Sequence, residues 1–237
     1  MWTRDPLILA ISFVFSVALF GAIWCVTHKR RQAFRAFARS HGLRYDIHDP
    51  YGLDQIPFRL FRKGDGRTLL NMLSGPWRGE QMRAFDFDYH EEHTAPNGST
   101  TRTTHAYSCV VLEVDAAFPH LAVDREGFVS RFGSALGSRD IEFESEEFNR
   151  RFHVASVDRK FAYELLDARM MQWLLHLPND VTFEVLDRWL LLSRKGQVEP
   201  AGFAPLIEMG LALRGRIPRV AWAMHGRQEA GPAALAT

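Results

Sequence analysis

The stretch LILAISFVFSVALFGAIWCV, Leu7 to Val26, carries no charged side chain, and this constrains the chain more than any other feature. At ~1.5 Å per residue a helix of about 20 residues spans the ~30 Å hydrocarbon layer of a bilayer. Ser12 and Ser16 can bond back to their own helix, so they do not interrupt it. Trp2 and Trp24 lie near the two ends of the run, at headgroup depth. The flanks favour an anchor over a cleaved signal peptide, which would carry its positive charge before the apolar run and small residues after it. Here only Arg4 precedes the run, offset by Asp5, whereas Lys29, Arg30, Arg31, Arg35 and Arg39 follow it. Lys and Arg stay on the cytoplasmic side. The expected topology is therefore a single pass of the inner membrane, with the N-terminus outside and the bulk of the chain cytoplasmic. In that compartment the Asn97-Gly98-Ser99 triplet is not a glycosylation acceptor.

The segments expected are a short outer N-terminus (1–6), a transmembrane helix (7–27), a basic juxtamembrane helix (28–40), one soluble domain (41–218) and a flexible tail (219–237). Arg31, Arg35 and Arg39 recur every four residues, away from Phe34 and Phe37. Lys29, Arg30, Arg31, Arg35 and Arg39 thus form a candidate membrane-surface set, each charge contributing ~1 kcal/mol against anionic lipid. Gly42 stands where a glycine commonly closes a helix.

Beyond Gly42 the pattern becomes mostly β. Leu43, Tyr45 and Ile47 alternate, Asp49-Pro50-Tyr51-Gly52 reads as a turn, and strands are expected over Thr68 to Leu73, Gln81 to His90 and Thr103 to Asp115. A short strand near Leu121 to Val123 and a helix over Glu126 to Leu136 follow. Ser145, Asp158 and Asp167 each precede a helical pattern as N-caps. Val181 to Leu186 and Trp189 to Ser193 read as a hairpin turning at Asp187-Arg188, and Pro200 to Leu213 as a final helix. Strands mixed with helices in no βαβ order give an α+β fold, an antiparallel sheet with packed helices.

Composition excludes several functions. A net charge of +1 over 237 residues argues against a nucleic-acid partner. Cys25 and Cys109, far apart, make neither a disulfide framework nor a zinc knuckle. There is no G-x-S-x-G elbow and no phosphate loop. Gly64-Asp65-Gly66 lacks the third glycine of a dinucleotide turn and precedes a strand. The acidic run Asp140, Glu142, Glu144, Glu146 and Glu147 alternates with Ile141 and Phe143, as a solvated face does. Trp173 sits at core spacing among Met170, Leu174 and Leu177. No cofactor is expected.

The chemistry-bearing stretch is FDFDYHEEHTAPNGSTTRTTHAYSCVVLEV, residues 85–114. His90-Glu91-Glu92-His93 has one residue too few for the H-E-x-x-H zinc helix. A regular hairpin sets His90 across from His105, with Asp88 on His90's face and His93 above. Asp88, His90, His93 and His105 are therefore a candidate metal set, while the same residues also suit a solvated hairpin tip.

Phe148, Phe152, Val154, Ser156 and Asp158, followed by Ala162, Leu165, Leu166, Met171, Trp173 and Leu174, resemble a pattern of uncharacterised, actinobacterial-type, single-pass membrane-anchored proteins of unknown function. The Phe85, Asp86, Tyr89 strand start is similar to theirs as well. That resemblance implies an N-terminal membrane segment and a mixed α/β soluble domain, and no catalytic residues. The leading expectation is a membrane-anchored cytoplasmic binding or scaffold domain, whose partners are membrane lipid or another membrane or envelope protein. The alternative is a membrane-bound metal-dependent enzyme using the His/Asp patch.

Overall fold

A computed structural model describes residues 6–95, 98–125 and 141–226. One helix, α1 (Pro6–Ser40), runs without a break from the apolar stretch into the basic one. From Ser12 to Gly21 it stands clear of the domain, and Phe13, Phe15, Phe20 and Trp24 are exposed. By length and composition it is suited to crossing a membrane. Its last turns dock instead, with Phe34, Phe37 and Ala38 buried. The helix stops at Gly42, whose φ of 66° lies in the left-handed region. Leu43 N donates to Ala38 O (2.8 Å), the six-to-one bond of a Schellman closure.

The chain then enters a six-stranded sheet in which every pair is antiparallel. Its strands are β1 (Arg44–His48), β2 (Gly66–Trp77), β3 (Glu80–Thr94), β4 (Thr100–Arg125), β5 (Phe152–Ser156) and β6 (Val181–Lys195). The order is β1-β2-β3-β4-β5, with β6 along the other side of β4. β4 is the spine: its first half lies between β3 and β6, its second between β5 and β6.

Each face of the sheet has its own apolar core. The larger includes Phe34, Leu73, Ala84, Val110, Phe161, Leu192 and Phe203. It is closed by α1 and by α2 (Glu146–Arg151), α3 (Arg159–Leu165), α4 (Ala168–Leu175), α5 (Phe203–Arg216) and α6 (Arg219–His225). The smaller includes Phe58, Phe61, Phe85, Phe87, Tyr107, Val111 and Leu191. It is closed by the segment between β1 and β2, which forms short 3₁₀ turns at Leu53–Gln55 and Leu60–Arg62. Strand β3 serves both cores, Met82 and Ala84 facing one and Phe85 and Phe87 the other. The architecture is α+β, as the pattern of alternations implied.

The local caps form where expected. Ser145 Oγ accepts from Phe148 N (3.2 Å), Asp158 Oδ1 from Lys160 N (2.8 Å) and Asp167 Oδ1 from Met170 N (2.8 Å). The expected 126–136 helix lies outside the described residues.

Three expectations change. Residues 103–115 and 121–123 are not separate strands but parts of β4, and 181–193 is not a hairpin but the single strand β6. Asp187 is not a turn but a kink, with φ 51°, paired with Phe118 where the β4–β6 register shifts. A short polar residue tolerates this conformation, and Pro119, which has no N–H to give a ladder, falls at the same irregularity. The third change concerns the tail. Arg219–His225 form α6 rather than fraying, because Ala221 is buried and Trp222 packs edge-on against Phe118 at 5.2 Å; the expected tail beyond 226 lies outside the described residues.

The kink gives a testable expectation. Asp187→Val places a β-branched side chain at positive φ and should cost roughly 1–3 kcal/mol. Denaturant unfolding of the purified chain measures it, and Asp187→Gly should not show the loss.

Candidate functional site: the α1 joint and the α1–β1 groove

The four candidate metal ligands do not converge. The β3–β4 register pairs Tyr89, not His90, with His105, and His90 with Thr104. Side chains alternate along a strand, so this one-residue difference puts His105 on the face of Glu91 and His93, and Asp88 and His90 on the other. His105 stacks on Tyr89 with ring centroids 4.7 Å apart and lies 3.6 Å from Glu91 Oε2. His90 Nδ1 meets Arg102 Nη2 at 2.8 Å. Asp88 accepts from Gln197 Nε2 at 3.4 and 3.3 Å. Among the described residues no group of three or more His, Cys, Asp or Glu could hold a metal ion.

The glycines of Gly64-Asp65-Gly66 serve this hairpin. A Cβ on Gly66 would run into the His90 ring. Asp65 N donates to His90 O (2.8 Å), and Asp65 Oδ2 accepts from Glu92 N (2.9 Å). Close backbone approach, not phosphate binding, accounts for them.

The five basic residues after the apolar run divide. Arg30 reaches into the domain. Its guanidinium donates to Asp86 (Nη2–Oδ1 2.8 Å, Nε–Oδ2 3.1 Å) and to Val198 O (2.8 Å). Asp86 is only 1% exposed. Asn71 Nδ2 donates to the same carboxylate (2.9 Å), and Tyr45 Oη donates to Asn71 Oδ1 (2.9 Å). Asn71 has a φ of 56° at the point where the β2–β3 register shifts. The irregularity accompanies its inward aim at Asp86, as a bulge re-aims a side chain. Four side chains from α1, β1, β2 and β3 thus form one polar chain, half-buried at Arg30 and Tyr45 and buried at Asn71 and Asp86. Arg30 is therefore committed to the fold rather than free for a membrane surface. Burial raises Asp86 above the usual carboxylate range, against the opposing pull of Arg30 and Asn71.

Arg35 and Arg39 stay on the outside of α1. Arg39 Nε donates to Arg35 O (3.3 Å), and the Arg35 guanidinium lies 5.7 Å from the Tyr45 ring centroid. Among the described residues neither is paired with a carboxylate. Both line a groove of about 690 Å³ between α1 and β1, floored by Ala38, Leu43 and Tyr45. A second hollow of about 470 Å³ continues it along β1 to Asp49 and Pro50, sharing Arg35 and Tyr45. The groove is basic, partly apolar and well within the size range of ligand sites.

A second polar cluster braces the other face. Glu184 accepts from Arg59 N (2.7 Å), Leu60 N (2.9 Å) and His120 Nε2 (3.1 Å). Arg59 Nη1 also pairs with Asp124 Oδ2 at 3.1 Å. Burial, then the neighbouring Glu184, raises Asp124. These groups hold the 3₁₀ segment onto the sheet.

No family model and no curated protein matches the chain. Among solved structures it is similar to the crystal structure of the mycobacterial trehalose monomycolate transport factor A, TtfA. The TM-score is 0.54 and the identity 15%, over 79% of this chain and 91% of that one. At this identity the likeness shows a shared fold.

Local sequence spacing marks neither the Tyr45–Asn71–Asp86 network nor the Glu184 cluster. The available signal was Asp86 itself, an acid in the middle of a strand with apolar residues on both faces.

Two expectations follow. Arg30→Ala leaves the Asp86 carboxylate buried without its cation and should cost about 3–5 kcal/mol. In that variant Asp86 has a folded pKa further above its unfolded value, so the penalty is largest above the folded pKa and fades as pH falls through it. Thermal unfolding of the solubilised chain across pH measures both. Glu184→Ala strands two backbone N–H groups and should cost roughly 1–3 kcal/mol, with faster amide exchange at Arg59 and Leu60.

Proposed function

We propose that this protein is a single-pass, membrane-anchored binding or scaffold domain, held against the cytoplasmic face of the inner membrane and acting on a lipid or on another envelope protein. The observation that carries this reading is the continuity of α1. One helix is exposed and apolar from Ser12 to Gly21, and its end is packed into the core and tied to Asp86. A flexible linker would let the domain wander, whereas this joint holds it at a set distance and orientation. Such tethering raises effective concentration toward neighbours without high intrinsic affinity.

The anchor also sorts the basic residues by height. For an upright helix, Lys29 and Arg31 lie about 5 and 8 Å beyond Val26, within the headgroup layer, which adds roughly 5–8 Å on each side. They are the residues suited to lipid contact. Arg35 and Arg39 lie about 14 and 20 Å beyond it, above the headgroups. TtfA is named as a transport factor for trehalose monomycolate, and a role beside an envelope lipid or protein is compatible with the shared fold. The metal-enzyme alternative has no support from the hairpin geometry.

Protease added to intact spheroplasts should leave the domain uncut and digest it only after lysis. Digestion in intact spheroplasts would overturn the orientation. Recovery of the chain in the soluble fraction would overturn the anchor.

A further inference from the structure

We infer that the free edge of β1, flanked by Arg35 and Arg39, is a docking groove for an extended, carboxylate-bearing segment of a partner protein, which adds to the sheet as a seventh strand. This deepens the reading of the domain as a binding module by naming the class of its partner.

The backbone supplies the first argument. Among the described residues β1 pairs with β2 alone and closes one side of the sheet. Among the described residues its outward N–H and C=O groups find no backbone partner. Such an edge is a template for another strand unless something covers or blocks it. Here the neighbouring space is the continuous hollow described above, running beside β1 from Leu43 to Pro50.

Charge and spacing supply the second. Arg35 and Arg39 are one helical turn apart, about 6 Å along the axis. Residues i and i+2 of a strand point to the same side about 6.5–7 Å apart. A strand lying along β1 therefore offers carboxylates at i and i+2 with a spacing that matches the positions of Arg35 and Arg39 on α1. Arginine suits this pairing because its fork matches a carboxylate. The acids in the hollow are already engaged: Asp46 with Arg44 Nε at 2.7 Å, and Asp49 with Tyr51 N (2.8 Å) and Leu53 N (2.5 Å).

Rival occupants fit less well. On the anchored reading, Arg39 stands above the headgroup layer and Arg35 reaches at most its margin, so a lipid still in the bilayer does not engage the pair. A second copy pairing antiparallel through β1 about Asp46 sets that acid against itself, which is unfavourable.

The test uses the full chain in zwitterionic lipid nanodiscs and a capped seven-residue peptide alternating valine and glutamate, with a valine–lysine peptide as control. At glutamate peptide tenfold above its Kd, amide exchange within Arg44–His48 should slow roughly tenfold. The lysine peptide should leave it unchanged. The double variant Arg35→Glu, Arg39→Glu should abolish the slowing while keeping the parent unfolding temperature, since both side chains are exposed. Absence of slowing, equal slowing by the lysine peptide, or slowing that survives charge reversal overturns the proposal. So does equal protection without peptide, either in anionic-lipid nanodiscs, which assigns the groove to lipid, or on raising protein concentration, which assigns it to a second copy. None of these readouts depends on which side of the membrane the domain faces, so failure here and failure of the proposed topology are distinguishable.

Discussion

The structure depends on a charge that the fold cannot leave alone. Asp86 is 1% exposed in the middle of β3, and a buried carboxylate is tolerable only when ionic or hydrogen-bonding partners reach it. Arg30 and Asn71 supply those partners. Because Arg30 belongs to α1, satisfying Asp86 also fixes the helix on the sheet. The rings of Phe34 and Phe203, 5.4 Å apart, add apolar burial beside the same joint. Ionic and apolar terms thus act at one place, and the helix direction follows from both.

That fixation has consequences along the edge of the sheet. With α1 held beside Tyr45 and Leu43, Arg35 and Arg39 line the groove between helix and edge strand, Arg35 lying over the Tyr45 ring. The small side chains Ala36 and Ala38 keep it open. On the other face, Glu184 and Asp124 secure the segment from the end of β1 to the start of β2. The two polar clusters therefore bracket the sheet. One sets where the long helix leaves the domain, and the other closes the smaller core.

Much of the local structure is legible in the sequence. The strand content of β2, β3 and β4 was evident from alternation, and the helix starts at Ser145, Asp158 and Asp167 from side chains that cap their own N–H groups. Asp187-Arg188 misled because a polar dipeptide between two apolar runs is the usual sign of a turn. Here the two runs lie end to end beside β4, and the dipeptide marks a kink. The α6 helix was hidden by a tail of small residues, since its only strong signal, Trp222, acquires meaning through Phe118.

The sequence by itself determined the uncharged span from Leu7 to Val26, the antiparallel α+β character and the positions of the caps. These depend on the period of apolar residues and on hydrogen bonds reaching a few residues. Only the tertiary structure decided that Arg30 meets Asp86, 56 residues away, and that His105 faces Tyr89 rather than His90. A ladder one residue out of step presents the same composition to a reader of the chain but the opposite face to every side chain. What chooses between the two registers is burial of both cores at once, a property of the whole sheet and of no single segment.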